Sequence, residues 1–307
     1  MHALIHDPHA PQGLRIGEAA DPAPGPSEAL IDVRALSINF ADVAFLADRY
    51  EPGAVPGFDA AGTVAAAAAD GSGPPAGTRV ATFGWSGGWA KRRAVDTADL
   101  AVLPDGADFG AAAALPVAGV TALRALRRLG SLVGRRVLIT GASGGVGRFA
   151  VQLAARAGAH VVAAVGNPER GAGLVTLGAG QVVADLDEVT EPVHGALDQV
   201  GGQTLARVYG LLRPGGLALS IGMASLEPTT IDFERERMRA GGTRIEAFTV
   251  GTDGPFGADL AYLVALLDAG ELDPQIGWRG AWDRAGEAAA ALMGRRVRGK
   301  AVLEVMT

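Results

Sequence analysis

Cysteine is absent from all 307 residues. Its absence excludes disulfides, thiol catalysis and any cysteine-built zinc site, structural or catalytic. Histidine is nearly as scarce, with His2, His6, His9, His160 and His194 only. The spacings His2/His6 and His6/His9 could pair two ligands on a helix, but Pro8 and Pro11 argue against a helix there. No functional metal is therefore expected. No apolar run approaches the ~20 residues of a membrane span. The opening Met1-His2-Ala3-Leu4-Ile5-His6 lacks the basic region and apolar stretch of a secretory signal. Excess positive charge is missing too: the net charge is −6, which argues against nucleic acid as a main partner. The expectation is a cytoplasmic protein with neither a membrane nor a nucleic acid as partner.

Apolar residues make up 49% of the chain, enough for a sizeable core, and the length suits two domains. The most informative stretch is Arg136 to Gly158. Val137-Leu138-Ile139 reads as a buried parallel strand. Gly141, Ser143, Gly144, Gly145 and Gly147 follow, and then Val146, Phe149, Ala150, Leu153 and Ala154 recur at helical spacing. In a strand, glycine turn and helix of this kind, glycines let a phosphate approach the backbone. The helix then offers it free N–H groups and the positive end of its dipole. Alone, the pattern would also fit a tight turn with nothing bound. A second apolar strand at His160–Val165 completes a mononucleotide-binding βαβ unit.

The tip of that second strand reads Val165-Gly166-Asn167-Pro168-Glu169-Arg170. An NAD site places an acid there for the ribose 2′-hydroxyl. Here Asn167 can donate hydrogen bonds and Arg170 can pair with a 2′-phosphate, so NADPH is the expected cofactor. The candidate contacts are Ala142, Ser143, Gly144, Gly145 and Val146 in the turn, Gly166, Asn167 and Arg170 at the strand tip, and Gly222 and Met223 after a later strand.

Residues 1–115 read as mostly β structure, with strands at Ala29–Leu36, Ala60–Ala69, Arg79–Phe83 and Trp89–Val95 between glycine- and proline-rich breaks. A helix is expected over Val117–Leu129. Past the second nucleotide-domain strand come a helix near Glu169–Leu177 and strands at Gln181–Ala184, Ala196–Val200, Leu217–Ile221 and Arg244–Val250. A further helix lies near Thr204–Leu212. Two amphipathic helices, near Phe256–Ala269 and Asp283–Met293, and a last strand, Lys300–Val305, form a tail expected to rejoin the N-terminal domain.

Motifs along nearly the whole chain resemble the medium-chain dehydrogenase/reductase superfamily, in its zinc-free quinone oxidoreductase and enoyl reductase branch. They include Asn39-x-x-Asp42, Pro56-Gly57-x-Asp59-x-x-Gly62, Gly77-x-Arg79-Val80 and Leu103-Pro104-Asp105-Gly106. Further along stand Ala113-Ala114-Leu115-Pro116, Gly119-x-Thr121-Ala122, Gly141-Ala142-Ser143-Gly144-Gly145-Val146-Gly147, Arg213-Pro214-Gly215-Gly216 and Gly299-Lys300-Ala301-Val302-Leu303.

The resemblance implies an α/β fold: a GroES-like, mostly-β catalytic domain (1–117 and 252–307) interrupted by a Rossmann NADPH-binding domain with a doubly wound parallel sheet (118–251). It implies an active site in the cleft between them, and a homodimer formed through the Arg244–Val250 strand. It also places Asn39, Thr121, Phe248 and Val250 near the nicotinamide, and makes Tyr50, eleven residues after Asn39, the best catalytic side chain with Asn39 beside it. Asp42 and Asp59 are expected to be structural, and Lys300 resembles a basic residue near the cleft. Trp85 and Trp89, flanking Gly87-Gly88, would either cap the substrate or pack. Zinc-dependent relatives carry Gly-His-Glu where this chain has Gly57-Phe58-Asp59, and a cysteine near the position of Asn39.

Without a metal to polarise a plain carbonyl, a conjugated acceptor is the better substrate. Hydrogen-bond donors can stabilise the enolate, and a side chain or water can supply the proton. The expected activity is NADPH-dependent, zinc-independent hydride transfer to a small hydrophobic quinone or α,β-unsaturated carbonyl. Alternatives are an enoyl reductase acting on an acyl thioester, for which Lys91-Arg92-Arg93 offers a basic cluster, an NADPH-binding sensor or structural protein, and a non-redox cyclase.

Overall fold

The computed structural model describes residues 1–238 and 241–306. Two units are built, one from Met1–Val120 with Gly254–Thr307 and one from Thr121–Asp253.

The chain opens with a hairpin of β1 (His2–His6) and β2 (Leu14–Glu18), paired antiparallel. Sequence patterning missed it, because Pro8 and Pro11 sit in its connection and the strands are short. The long strand β3 (Glu28–Ile38) alternates half-buried and buried residues as far as Val33, then is buried throughout over Ala35–Ile38. That change marks its passage from a sheet face to the interior. Two short helices, α1 (Phe40–Ala44) and α2 (Leu46–Arg49), follow. Next come β4 (Asp59–Ala66), β5 (Arg79–Phe83), β6 (Arg92–Asp96) and β7 (Leu100–Val102). Two helices, α3 (Phe109–Ala113) and α4 (Pro116–Arg128), lead into the second unit.

The second unit is a parallel sheet of β8 (Arg136–Ile139), β9 (His160–Ala164), β10 (Ala179–Val183), β11 (Val193–Asp198), β12 (Leu212–Ser220) and β13 (Arg244–Ala247). Helix α5 (Gly145–Arg156) joins β8 to β9, α6 (Gly202–Leu211) joins β11 to β12, and α7 (Phe233–Arg237) precedes β13. The spatial order is β10-β9-β8-β11-β12-β13, all parallel. That is the doubly wound Rossmann arrangement. Its topological switch point lies between β8 and β11, where such sheets open a crevice at their carboxyl ends. Leu138, Val162, Ala196 and Ala218 are buried at its centre.

Two local expectations fail here. No helix forms over Glu169–Leu177: a single 3₁₀ turn, Pro168–Gly171, gives way to irregular turns. Gly171 and Gly173 lie in that segment, Gly173 at φ +80°, and glycine in a helix interior costs about 1 kcal/mol each. The last strand is also shorter than expected, ending at Ala247. Phe248 still donates its N–H to the Ser220 carbonyl (2.9 Å), whereas Val250 begins a 3₁₀ turn.

The chain then returns. Helix α8 (Gly257–Asp268), β14 (Ile276–Ala281), α9 (Ala285–Met293) and β15 (Lys300–Glu304) complete the first unit. Strand β15 pairs antiparallel with Ala35–Ile38 of β3, and the sheet runs β14-β15-β3-β4-β5-β7, with β6 also on β3. This is the GroES-like half of the fold. Leu4, Leu36, Trp89, Trp282 and Leu303 meet in its core. Among the described residues no helix is long and apolar enough to cross a membrane.

Candidate active site

The second unit carries the glycine turn. Gly141 takes φ +57°, and a Cβ on Gly147 would stand 2.4 Å from the Gly141 carbonyl oxygen. Only glycine lets α5 start this close to β8. Gly144 caps α5 without a side-chain hydrogen bond. Among the described residues, the N–H groups of Gly145, Val146 and Gly147 have no acceptor. These are the orphan donors of a helix N-terminus, at the positive end of its dipole. A Cβ on Gly166 would meet nothing within 4 Å. Free donors beside open space fit a dinucleotide's pyrophosphate.

Ala142 is fully buried and gives its N–H to the Ala164 carbonyl (3.1 Å), and Gly144 gives its own to Gly141 (2.9 Å). Neither N–H is free for an anion, so that role falls to the next three residues. At the strand tip, Asn167 turns its carbonyl oxygen back on the Arg170 N–H (3.1 Å). The Arg170 guanidinium crosses to the glycine turn, where Nε donates to Ser143 Oγ (2.9 Å). Residues 27 positions apart are thus brought together. Arg148, on α5, reaches the Ala172 carbonyl (3.3 Å) and holds the same loop.

After β12, Gly222 packs against the Gln199 carbonyl, which a Cβ would approach to 2.8 Å, and Met223 is half exposed. Thr121, on α4, is 5% exposed. Phe248 and Val250 are half-buried, and the Val250 carbonyl accepts from Arg124 (2.6 Å).

One residue of this region escaped the sequence reading. Both amide atoms of Gln199 are buried without a hydrogen-bond partner among the described residues. Gln199 follows β11 at the switch point, beside Gly141. A buried, unpaired amide is costly, about 1–3 kcal/mol per group, and its position suits a ligand that would satisfy it. The signal was available: Gln199 is the polar residue between Asp198 and the glycine pair Gly201-Gly202. Asp198 anchors that turn, accepting from Thr140 Oγ1 (2.6 Å) and the Gly201 N–H (2.7 Å); burial nevertheless raises its pKa.

Asn39 and Tyr50 lie in the first unit. Asn39 follows β3 and caps α1, and its side chain is enclosed by charge. Nδ2 donates to Asp42 Oδ2 (3.1 Å) and Asp59 Oδ2 (2.9 Å), while Oδ1 accepts from Lys300 Nζ (2.5 Å). Asp59 also accepts from Ser37 Oγ (2.8 Å) and, through Oδ1, from the Val117 N–H at the start of α4 (2.9 Å). Lys300 Nζ stands 3.3 Å from Asp59 Oδ2. Asp42, Asp59 and Lys300 are all at most 2% exposed. Burial pushes the Asp42 carboxyl up to about 7, and the Asp59 charge adds to the shift. Asp42 Oδ1 is buried without a partner among the described residues, as a neutral carboxyl tolerates better than a charged one. The Asn39 amide is thus held by three protein groups.

Tyr50 packs against the core and donates its O–H to the Trp85 carbonyl (3.1 Å). Burial raises its pKa, with the Asp42 charge adding, so the phenol is protonated at neutral pH. The two tryptophans separate. Trp89 is fully buried and donates Nε1–H to the Ser37 carbonyl (3.2 Å), whereas Trp85 is 57% exposed. The basic cluster at Lys91-Arg92-Arg93 also dissolves. Arg92 is outside, paired with Asp32, but Arg93 is 2% exposed and points inward to the Phe58 carbonyl.

Two family profiles match, a zinc-binding dehydrogenase domain over residues 145–267 and an alcohol dehydrogenase GroES-like domain over residues 25–105. An acrylyl-CoA reductase of Ruegeria pomeroyi is 38% identical over 201 residues, a match covering 58% of this chain and only 60% of that protein's length. A quinone oxidoreductase of Pseudomonas aeruginosa is 30% identical over 312 residues, covering 95% of this chain and 96% of that one. A mycobacterial protein solved in complex with NADPH superposes with a TM-score of 0.88 at 25% identity, over 99% of this chain and 100% of the other.

Proposed function

The chain belongs to the medium-chain dehydrogenase/reductase superfamily, in its zinc-free quinone oxidoreductase and enoyl reductase branch, and from that premise we propose that it is an NADPH-dependent reductase of quinones or α,β-unsaturated carbonyls. The observation that carries the proposal is the pairing of Arg170 with Ser143 beside the free N–H groups of α5. It sets a guanidinium, the natural partner of a 2′-phosphate, against an anion-binding turn. Ser143, Gly145, Val146, Gly166, Asn167, Arg170, Gln199, Gly222 and Met223 would hold the dinucleotide. When bound, NADPH supplies the hydride.

In the first unit, position 58 is Phe and no cysteine exists, so the chain offers neither the histidine nor the cysteine that hold catalytic zinc in relatives. What remains to assist the acceptor is hydrogen bonding. Tyr50 keeps its proton at neutral pH and can donate to a developing oxyanion or pass the proton on. Asn39 is gripped by Asp42, Asp59 and Lys300 and so offers no free amide. A quinone needs less proton help than an enone, since its reduced product is stable. An acyl thioester is the second reading, supported by the acrylyl-CoA reductase relative. A homodimer is proposed as well, because β13 stands at the open edge of the parallel sheet; light scattering after gel filtration tests it.

The test of the activity is NADPH oxidation, followed at the nicotinamide absorbance, with a small quinone and a small enone in parallel and NADH as control. Turnover of either acceptor with preference for NADPH supports the proposal. NADPH binding without turnover of quinone, enone or acryloyl thioester would overturn it.

A further inference from the structure

Trp85 is a large exposed aromatic of the first unit, 57% open. It sits at the tip of a loop tied at both ends to residues 55–58. Gly84 donates to the Phe58 carbonyl (3.1 Å), Gly87 to Val55 (3.1 Å), Gly88 to Gly57 (2.9 Å) and Trp89 to Pro56 (3.1 Å). The two carbonyls at the tip are held as well. Trp85's accepts the Tyr50 O–H (3.1 Å), and Ser86's accepts from the buried Arg93 guanidinium (3.2 Å). A Cβ on Gly84 would stand 2.0 Å from Arg93 Nη2, so a side chain there would displace that guanidinium.

The ring is braced too. Phe58 (centroid 5.8 Å, 75°) and Phe83 (4.9 Å, 83°) meet the indole nearly at right angles, and Phe83 is itself stacked on Phe256 (3.6 Å, 4°). Among the described residues no ring lies parallel to the indole, and 57% of the residue is open. A surface tryptophan is ordinarily unremarked, since scattered exposed apolar residues are normal. This one has lost its freedom without being covered. It is a flat, preorganised π surface whose own backbone carbonyl accepts from the candidate catalytic phenol, with no described ring of the first unit stacked on it.

We propose that Trp85 is a stacking seat for the ring of the acceptor, so that the site selects flat, multi-ring quinones over acyclic enones. The proposal rests on the reductase reading for the identity of the ligand and not for the existence of the seat. Preorganisation matters because a braced ring gives up little rotamer freedom on binding. An offset-stacked aromatic pair contributes about 0.5–1.5 kcal/mol beyond its buried area, which is about two- to tenfold in affinity.

The experiment compares the wild type with Trp85→Leu, which keeps an apolar side chain, and Trp85→Phe, which keeps a ring. The reporter is the ratio of kcat/KM for a two-ring quinone to that for an acyclic enone. The ratio should fall about fivefold in Trp85→Leu, through KM of the quinone, and recover most of the loss in Trp85→Phe. An unchanged ratio in Trp85→Leu overturns the seat while leaving the reductase standing. Calorimetric titration of the same quinone into protein saturated with NADP⁺ reads binding without turnover. There the quinone should bind wild type about fivefold more tightly than Trp85→Leu. That result in a protein that turns over no acceptor would retain the seat and discard the reductase, and equal affinities would discard the seat.

Discussion

Lys300 Nζ donates to Asn39 Oδ1 across 261 positions of sequence, at 2.5 Å. The last strand of the chain thereby fixes the amide that follows β3. With Asp59 the lysine forms a buried ion pair, in which each charge offsets the desolvation of the other.

Replacing Lys300 by Met leaves the Asp59 carboxylate and the Asn39 oxygen short of a donor. The expected loss of stability is about 3–5 kcal/mol, the range for breaking a buried pair from one side. Urea unfolding measures it, and Asp59→Asn in the same background should restore part of the loss. A change below about 1 kcal/mol would mean that the lysine is poorly compensated in the native protein.

Asp42 makes stability depend on pH. Its ordinary value is 3.8 and its folded value about 7. Between these the native state holds a proton that the unfolded chain has released, so stability falls as pH rises from about 4 to about 7 and is level beyond. The charges facing it are Asp59 and Lys300, with Tyr50 nearby. At 1.36 kcal/mol per unit the loss is at most on the order of 4 kcal/mol. Asp42→Asn removes the titration, so its stability relative to wild type should climb across that window. Parallel curves for the two proteins in urea would assign the carboxyl an ordinary pKa.

Arg170→Ala should weaken NADPH binding by roughly ten- to a hundredfold, the worth of charge-assisted bonds to a phosphate, with little effect on NADH. Nicotinamide fluorescence titrations give both constants. Equal losses for the two cofactors would sink the 2′-phosphate assignment.

Tyr50→Phe deletes the proton donor and the tie to the Trp85 carbonyl. Enone reduction should slow by about a hundredfold, the lower range for a lost general acid, and quinone reduction much less. Steady-state rates on both acceptors decide it, and unchanged rates on both would remove Tyr50 from the chemistry.

The parallel sheet was legible because each of its signals is local. Val137-Leu138-Ile139 is a strand by composition, and the glycine cluster after it marks a tight turn, in which Gly147 has no room for a Cβ. Arg170 was legible as a charge type, but its landing point on Ser143 was not, since the expected helix over Glu169–Leu177 would have carried it elsewhere. The first unit was harder. The hairpin of β1 and β2 is too short and too interrupted to show a period. The contact of Asn39 with Asp42 is local, but the grip of Asp59 and Lys300 on Asn39 joins three segments that only the folded sheet assembles. Trp85 and Trp89 look alike in sequence, and only the fold sends one inward and leaves the other out.

The order in which the chain is made bears on that grip. Lys300 follows Asp59 by 241 residues, and at about 5–20 residues per second a ribosome needs roughly 10 to 50 s to reach it. The nucleotide unit is finished in that interval, while Ala35–Ile38 waits with a bare strand edge and Asp59 without its counter-ion. The nascent first unit therefore presents an unpaired, aggregation-prone strand edge for as long as translation of the middle of the chain lasts. A ribosome stalled before β15 would release a chain with one mature half and one sticky half.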